Sequence, residues 1–219
     1  MDYFVTGASG FIGKRLVKKL LERKGAVVYF LMREKGAAKK VKALQQFWNV
    51  DGARAVPMMG DLTSPLLGLS KADQETLSGN VKHFFHLAAI YDLKAGAEEQ
   101  IAGNIDGTRN AVALAYAIMA GCFEHVSSIA AAGMYEGVFR EDMFDEAENI
   151  DHPYFQTKHD SEGIVRRDCH VPWRVYRPGL VVGDSQTGEM DKIDGPYYFF
   201  KLDPADAPGA AALDADDWH

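Results

Sequence analysis

The sequence predicts an α/β fold, a doubly wound parallel sheet with helices on both faces, and three observations point to it. Short apolar runs alternate with stretches of helical apolar spacing from the first residues to about Tyr176. The glycine-rich stretch Thr6-Gly7-Ala8-Ser9-Gly10-Phe11-Ile12-Gly13 falls where the first such run meets the first helix. A chain of 219 residues with 47% hydrophobic content is large enough to bury one sheet and its covering helices. Strand–helix alternation of this kind leads to right-handed crossovers and so to a parallel sheet.

Tyr3-Phe4-Val5 is the first strand, and Phe11 to Lys24 the first helix. A glycine turn between them lets a pyrophosphate come close to the backbone, where the first helical N–H groups and the helix dipole face the anion. Gly7 suits the tight turn, Gly10 the close approach and Gly13 the packing of helix on strand. The chain has 21 glycines, so a plain glycine-rich turn is the alternative. Ala26 to Met32 reads as a buried parallel strand, and Arg33 ends it, 20 residues past Gly13. An acidic residue there would accept from a ribose 2′-hydroxyl, whereas Arg suits a 2′-phosphate. With Lys35, Lys39 and Lys40 nearby, NADP(H) is the expected cofactor and NAD(H) the alternative; a solvated basic turn has the same composition.

Lys39 to Trp48 reads as the second helix and Arg54 to Met59 as the third strand. In the following Gly60-Asp61-Leu62, the Asp61 carboxylate either faces an adenine or caps the next turn. Val81 to Leu87 is the fourth strand and runs into His86-Leu87-Ala88-Ala89, where small residues let a cofactor lie against the backbone. His86 itself reads as a packed strand histidine without chemistry. Glu98 to Ala120 reads as one long helix containing Asn104-Ile105-Asp106-Gly107-Thr108. Cys122 to Ser127 is the fifth strand, Pro153 to Cys169 a helix, and Trp173 to Tyr176 the start of a sixth strand.

Tyr154-Phe155-Gln156-Thr157-Lys158 puts Tyr and Lys four apart, on one face of the helix that follows the fifth strand. Ser127-Ser128 stands at the C-terminal end of that strand, where ligands of open α/β sheets bind. Hydride arriving at a carbonyl leaves negative charge on oxygen, which needs a proton and a hydrogen-bond donor. A phenol with a pKa of about 10 becomes a useful acid near neutrality beside an ammonium group. Tyr154 is therefore the candidate acid, Lys158 its electrostatic partner and a ribose contact, and Ser128 the group that polarises the substrate oxygen. Asn104 either holds a proton-relaying water or makes a helix-interior hydrogen bond.

These stretches, with Val126-Ser127-Ser128 and Arg177-Pro178-Gly179, stand in the order and spacing of the extended short-chain dehydrogenases/reductases, which the chain resembles from Met1 to about Lys201. Phe30-Leu31-Met32-Arg33, Gly60-Asp61-Leu62-Thr63-Ser64-Pro65 and Gly183-Asp184-Ser185-Gln186-Thr187-Gly188 are most similar to the branch of fatty acyl-CoA and carrier-protein thioester reductases. The resemblance implies a Rossmann fold and an NADP(H)-dependent oxidoreductase that moves a hydride to a carbonyl or acyl thioester. It implies Ser128, Tyr154 and Lys158 as the catalytic set with Asn104 as auxiliary, and Arg33 as the 2′-phosphate ligand. The cofactor would be held by Thr6, Gly7, Ser9, Gly10, Phe11, Ile12, Gly13, Asp61, Leu62, Leu87, Ala88, Ala89 and Lys158, with Pro178 and Gly179 beside the nicotinamide. An NAD-dependent sugar-nucleotide epimerase or dehydratase shares these motifs, although Arg33 speaks against it. A non-catalytic nucleotide-binding protein or redox sensor is the rival from another class.

Residues 1–183 are expected to form the dinucleotide domain, 184–202 the start of an incomplete substrate lobe, and 203–219 a disordered tail rich in Asp and Ala. Five of the seven net negative charges lie in that tail, at Asp203, Asp206, Asp214, Asp216 and Asp217. The net charge of -7 argues against a nucleic-acid partner. With no stretch of about eighteen apolar residues and no leader-like start, the chain reads as cytoplasmic and without a membrane segment. The expected partners are a small-molecule substrate, acyl-CoA or a carrier-protein thioester, and assembly as a homodimer is left open. Cys122 and Cys169 lack sequence neighbours at metal-ligand spacing and read as two buried thiols, so no metal is expected.

Overall fold

The computed structural model describes residues 1–89 and 101–190. Residues 98–100 of the expected long helix, the expected lobe beyond residue 190 and the tail 203–219 lie outside them. The chain divides into two compact units, Met1–Gly179 and Leu180–His219.

In the first unit six strands form one parallel sheet: β1 (Asp2–Thr6), β2 (Val27–Met32), β3 (Ala55–Met59), β4 (Val81–His86), β5 (Phe123–Val126) and β6 (Trp173–Tyr176). Their order is β3-β2-β1-β4-β5-β6, so the chain reverses direction across the sheet between β1 and β4. That reversal opens a crevice at the C-terminal strand ends, where ligands of such sheets bind. Helices α1 (Phe11–Leu21) and α2 (Ala37–Trp48) pack on one face, burying Tyr3, Val5, Val28 and Phe30. The other face buries Phe4, Phe84 and Phe123 against α3 (Lys71–Leu77), α4 (Gly107–Ala117) and α5 (Pro153–Asp168). Each such side chain taken fully from water stabilises the fold by about 1.5–3 kcal/mol.

Three departures from the sequence expectation have physical causes. Helix α1 stops at Leu21 rather than Lys24, because the guanidinium of Arg54, the residue before β3, takes the carbonyls of Leu21, Arg23 and Ala26. Among the described residues, the expected long helix after β4 starts as a π-helical turn, Ile101–Asp106, that leads into α4. There the Thr108 hydroxyl donates to the Asn104 carbonyl and the Asn104 amide reaches across to Thr157. A short 3-10 turn at Pro65–Gly68 and helix α3 were not anticipated. The start of α3 carries a legible signal, a Ser70 hydroxyl that accepts from the Asp73 N–H three residues on.

In the second unit, the described residues include a turn in which the Asp184 carboxylate accepts from the Gln186 and Thr187 N–H groups and the Thr187 hydroxyl.

Candidate active site

The glycine turn is built by exclusion. Gly7 has φ of 75°, and a Cβ on it would lie 2.7 Å from the Ala88 nitrogen, so the first turn and the end of β4 touch through backbone alone. A Cβ on Gly13 would overlap the Gly7 carbonyl, which ties the first turn of α1 to the loop before it. The first turn of α1 carries no acidic residue, leaving its N–H groups and dipole open to an anion. These are the features a pyrophosphate requires.

A cavity of about 920 Å³ opens beside this turn. Gly7, Ser9, Gly10, Arg33, Asp61, Leu62, Leu87, Ala88 and Ala89 line it, as the sequence expects of cofactor ligands. Lys35 and Lys40 join Arg33 in the lining, whereas Lys39 does not. Asp61 serves its own turn: one carboxylate oxygen accepts from the Thr63 hydroxyl at 2.7 Å and the Thr63 N–H at 2.8 Å. Those bonds, aided by the Arg33 charge, hold its carboxyl below the usual range. Gly103, in the π-helical turn, also lines this cavity and was not singled out from sequence.

Leu87 also lines a second, mainly apolar cavity of about 930 Å³, with Ile12, Ile129 and Pro178. Thr6, Phe11, Gly13 and Gly179 line neither cavity. Thr6 is buried beneath the turn, and Phe11 stacks under the Arg15 guanidinium.

The catalytic candidates stand on α5 and at the end of β5. Helix α5 begins with Pro153 at its first turn, and the His152 ring accepts from the Tyr154 N–H. Tyr154 and Lys158 are both buried on that helix, at 9% and 6% exposure. Burial pushes the Lys158 ammonium down to about 8. Lys158 makes no ion pair among the described residues. Ser128 caps the 3-10 turn Ile129–Ala132, its oxygen accepting from the Ala130 N–H. That turn is fastened to α5 by the His159 Nδ1–H, which donates to the Ala131 carbonyl at 2.9 Å. Asn104 is 2% exposed and donates to the Thr157 hydroxyl at 3.3 Å, so it meets the helix one residue before Lys158.

A carboxylate that sequence reasoning passed over lies behind these residues. Glu162, fully buried on α5, accepts from the Ser127 hydroxyl at 2.8 Å, from Arg166 at 2.8 Å and from Arg177 at 2.6 and 3.0 Å. Burial works to raise its pKa, but these donors outweigh it and hold the carboxyl low. Arg177 also donates to the carbonyls of Arg140 and Met143, which anchors the loop between β5 and α5. The one sequence signal was its place four residues past Lys158, on the same helical face.

On the α1 side of the sheet, β4 and β5 bring His83, Cys122 and Glu124 together, their ligand atoms within 4.8 Å of one another. The chain spacing of the cysteines could not show this. Arg174 and Tyr176 donate to Glu124 at 2.8 and 3.0 Å, so the carboxylate is already compensated by a cation. Cys122 is buried as expected, with its thiol pushed up to about 11 by burial and by Glu124, whereas Cys169 is only partly buried.

Strand order, glycine turn and crevice define a nicotinamide-dinucleotide domain of the extended short-chain dehydrogenase/reductase type. The family model for the male sterility protein, an NAD-binding family, matches residues 5–203, and the chain belongs to that family. A linear gramicidin synthase of Brevibacillus parabrevis is 33% identical over 204 residues, covering 87% of this chain and 4% of that protein. The fatty acyl-CoA reductase wat of Drosophila melanogaster is 26% identical over 236 residues, covering 88% of this chain and 46% of that protein. The crystal structure of the terminal R domain from the myxalamid PKS-NRPS biosynthetic pathway superposes with a TM-score of 0.73 at 29% identity, covering 85% of this chain and 50% of that one. The chain thus spans about half the length of that R domain. Fatty acyl-CoA reductases and aldehyde reductases are among the proteins it is similar to. No helix among the described residues is long and apolar enough to cross a membrane.

Proposed function

We propose that this chain is the NADP(H)-binding part of a reductase that delivers a hydride to a carbonyl or an acyl thioester. The observation that carries the proposal is Lys158, buried beside the Tyr154 position on α5 with its ammonium brought down to about 8. A buried cation four residues from a phenol favours the phenolate and makes the tyrosine a stronger acid.

The cofactor fits the residues present. The glycine turn would take the pyrophosphate, Arg33 with Lys35 and Lys40 the 2′-phosphate, and Asp61 and Leu62 the adenine end. When bound, it supplies the hydride. Tyr154 then protonates the oxygen that carries the developing charge, Ser128 donates a hydrogen bond to it, and Lys158 holds the proton equilibrium of the phenol. Asn104 keeps the helix in register through Thr157. With an acyl thioester, the protonated product is a hemithioacetal, which collapses by breaking its C–S bond to release an aldehyde and the thiol, the hydroxyl proton ending on sulfur. The fatty acyl-CoA reductase among the relatives, and a structural neighbour that is a thiolation-reductase di-domain, favour an acyl-CoA or a carrier-protein thioester as substrate.

Fluorescence titration of the chain with NADPH and NADH tests the cofactor reading. A charge-assisted pair to the 2′-phosphate is worth about 1.5–3 kcal/mol, or roughly tenfold to a hundredfold in favour of NADPH. Equal affinity would overturn the assignment of Arg33. In a longer reductase containing this domain, Tyr154→Phe should abolish NADPH oxidation while leaving NADPH binding within about threefold of the parent. Retained turnover would remove Tyr154 from the chemistry.

A further inference from the structure

A continuous buried hydrogen-bond path crosses the site, and His86 lies at its centre. The Ala88 N–H donates to the Thr6 hydroxyl at 3.2 Å, and the Thr6 hydroxyl meets His86 Nδ1 at 2.8 Å. His86 Nε2 meets the Thr108 hydroxyl at 3.2 Å, and that hydroxyl donates to the Asn104 carbonyl at 2.6 Å. The Asn104 amide continues to the Thr157 hydroxyl at 3.3 Å, which donates to the Tyr154 carbonyl at 3.2 Å. Thr6, His86, Asn104, Thr108 and Thr157 are each no more than 2% exposed, so water does not compete for these bonds.

The path has one self-consistent assignment of protons. A hydroxyl has a single hydrogen, and that of Thr108 goes to a carbonyl, which can only accept. Toward His86 the Thr108 oxygen must therefore accept, so His86 carries its proton on Nε2. A neutral ring then has a bare Nδ1, to which the Thr6 hydroxyl donates while its lone pair receives the Ala88 N–H. Burial first, and the Lys158 charge second, hold the His86 imidazole neutral, with its pKa down to about 3.

We propose that His86 is a positioning residue: a neutral, Nε2-protonated imidazole that joins the Thr6–Ala88 wall of the cofactor cavity to the Asn104 segment beneath the Tyr154–Lys158 helix. The assignment of Asn104 and Tyr154 rests on the reductase reading above. One ring fixes both sides: its Nδ1 holds the backbone at Ala88, and its Nε2 holds the π-helical turn through Thr108. The two links are separable by substitution, because an Asn side-chain oxygen falls near the Nδ1 position and a Gln amide nitrogen near the Nε2 position.

The test has two arms. In the wild-type chain carrying ¹⁵N-labelled histidine, NMR should show one ring that stays neutral and Nε2-protonated from pH 5 to 8 and that disappears from His86→Asn. If the ring lost in His86→Asn proves Nδ1-protonated, or titrates in that range, the proposal is overturned without reference to activity. NADPH affinity, read by fluorescence, should fall about tenfold in His86→Phe, which keeps neither link, and less in His86→Asn and His86→Gln, which keep one link each. Equal affinities in all three variants, or equal losses, overturn it as well. Should the wild-type chain bind no NADPH, the reductase reading fails, and the NMR arm still decides the state of His86.

Discussion

The Ser127 hydroxyl donates to the Glu162 carboxylate at 2.8 Å in the interior, so the residue beside Ser128 is fastened to the helix that carries Tyr154 and Lys158. The same carboxylate holds Arg166 and Arg177, and Arg177 adjoins Pro178. Two strand ends and one helix therefore depend on a single buried anion.

Removing that anion leaves Arg177, whose side chain is 14% exposed, without its counter-charge. Glu162→Ala should cost about 3–5 kcal/mol in urea unfolding, the usual penalty for breaking a buried ion pair from one side. A loss below about 1 kcal/mol would show that Arg177 relaxes to water and that the network holds little.

His125 is 3% exposed, and neither of its ring nitrogens has a hydrogen-bond partner among the described residues. It stacks on His86 with centroids 5.6 Å apart. His125→Phe should keep the stack and raise stability by about 1–3 kcal/mol, since an unsatisfied buried polar group is removed. Burial holds the wild-type ring neutral in the fold, with the Lys158 charge adding to the effect. The unfolded chain therefore binds the extra proton below a pH of about 6.5, and stability falls as the pH drops through that region. Thermal melts between pH 4.5 and 8 should show a shallower acid-side decline in the variant, with His86 still contributing. Parallel curves would mean that His125 is hydrated or paired in solution.

Lys158 supplies a pH dependence on the alkaline side. Its pKa drops from the ordinary lysine value of 10.5 to about 8 in the fold, so between those limits the unfolded chain holds more protons and stability rises with pH. Lys158→Met should be the more stable form near neutrality, and its advantage should shrink as the pH climbs from 8 toward 10. Its NADPH affinity should fall by about tenfold or more if, as proposed, Lys158 holds the nicotinamide ribose. A constant difference in melting temperature across that range would place the Lys158 pKa outside it.

Gly13→Ala tests the turn. Its Cβ would overlap the Gly7 carbonyl and approach Ala8 Cα at 3.0 Å, and both neighbours are backbone that no rotamer can clear. Overpacking of this kind costs about 1–3 kcal/mol, and NADPH binding should be lost with the turn geometry. Gly10→Ala, whose Cβ meets the same carbonyl at 3.3 Å, should be milder in a thermal melt. The reverse order would show that α1 can slide away from the turn.

Much of the fold was legible because its signals are local. The apolar run at Tyr3 to Val5, the glycines before Phe11 and the alternation that follows specify strand, turn and helix within a few residues of one another, and right-handed crossovers then leave few topologies. The four-residue spacing of Tyr154 and Lys158 is likewise a property of one helix. The end of α1 was misplaced because the group that caps it, Arg54, comes from the turn before β3, 33 residues beyond Leu21.

By itself, then, the sequence determined the parallel α/β sheet, the glycine turn against the first helix and the basic residue at the end of β2. Only the tertiary structure decided the partners of His86, Glu162 and Asn104. His86 reaches Thr6 across 80 residues, Ser127 reaches Glu162 across 35, and Asn104 reaches Thr157 across 53. Such contacts exist only once β4 lies beside β1 and α5 lies over β5, and no spacing along the chain encodes which polar atoms then face one another in the dry interior.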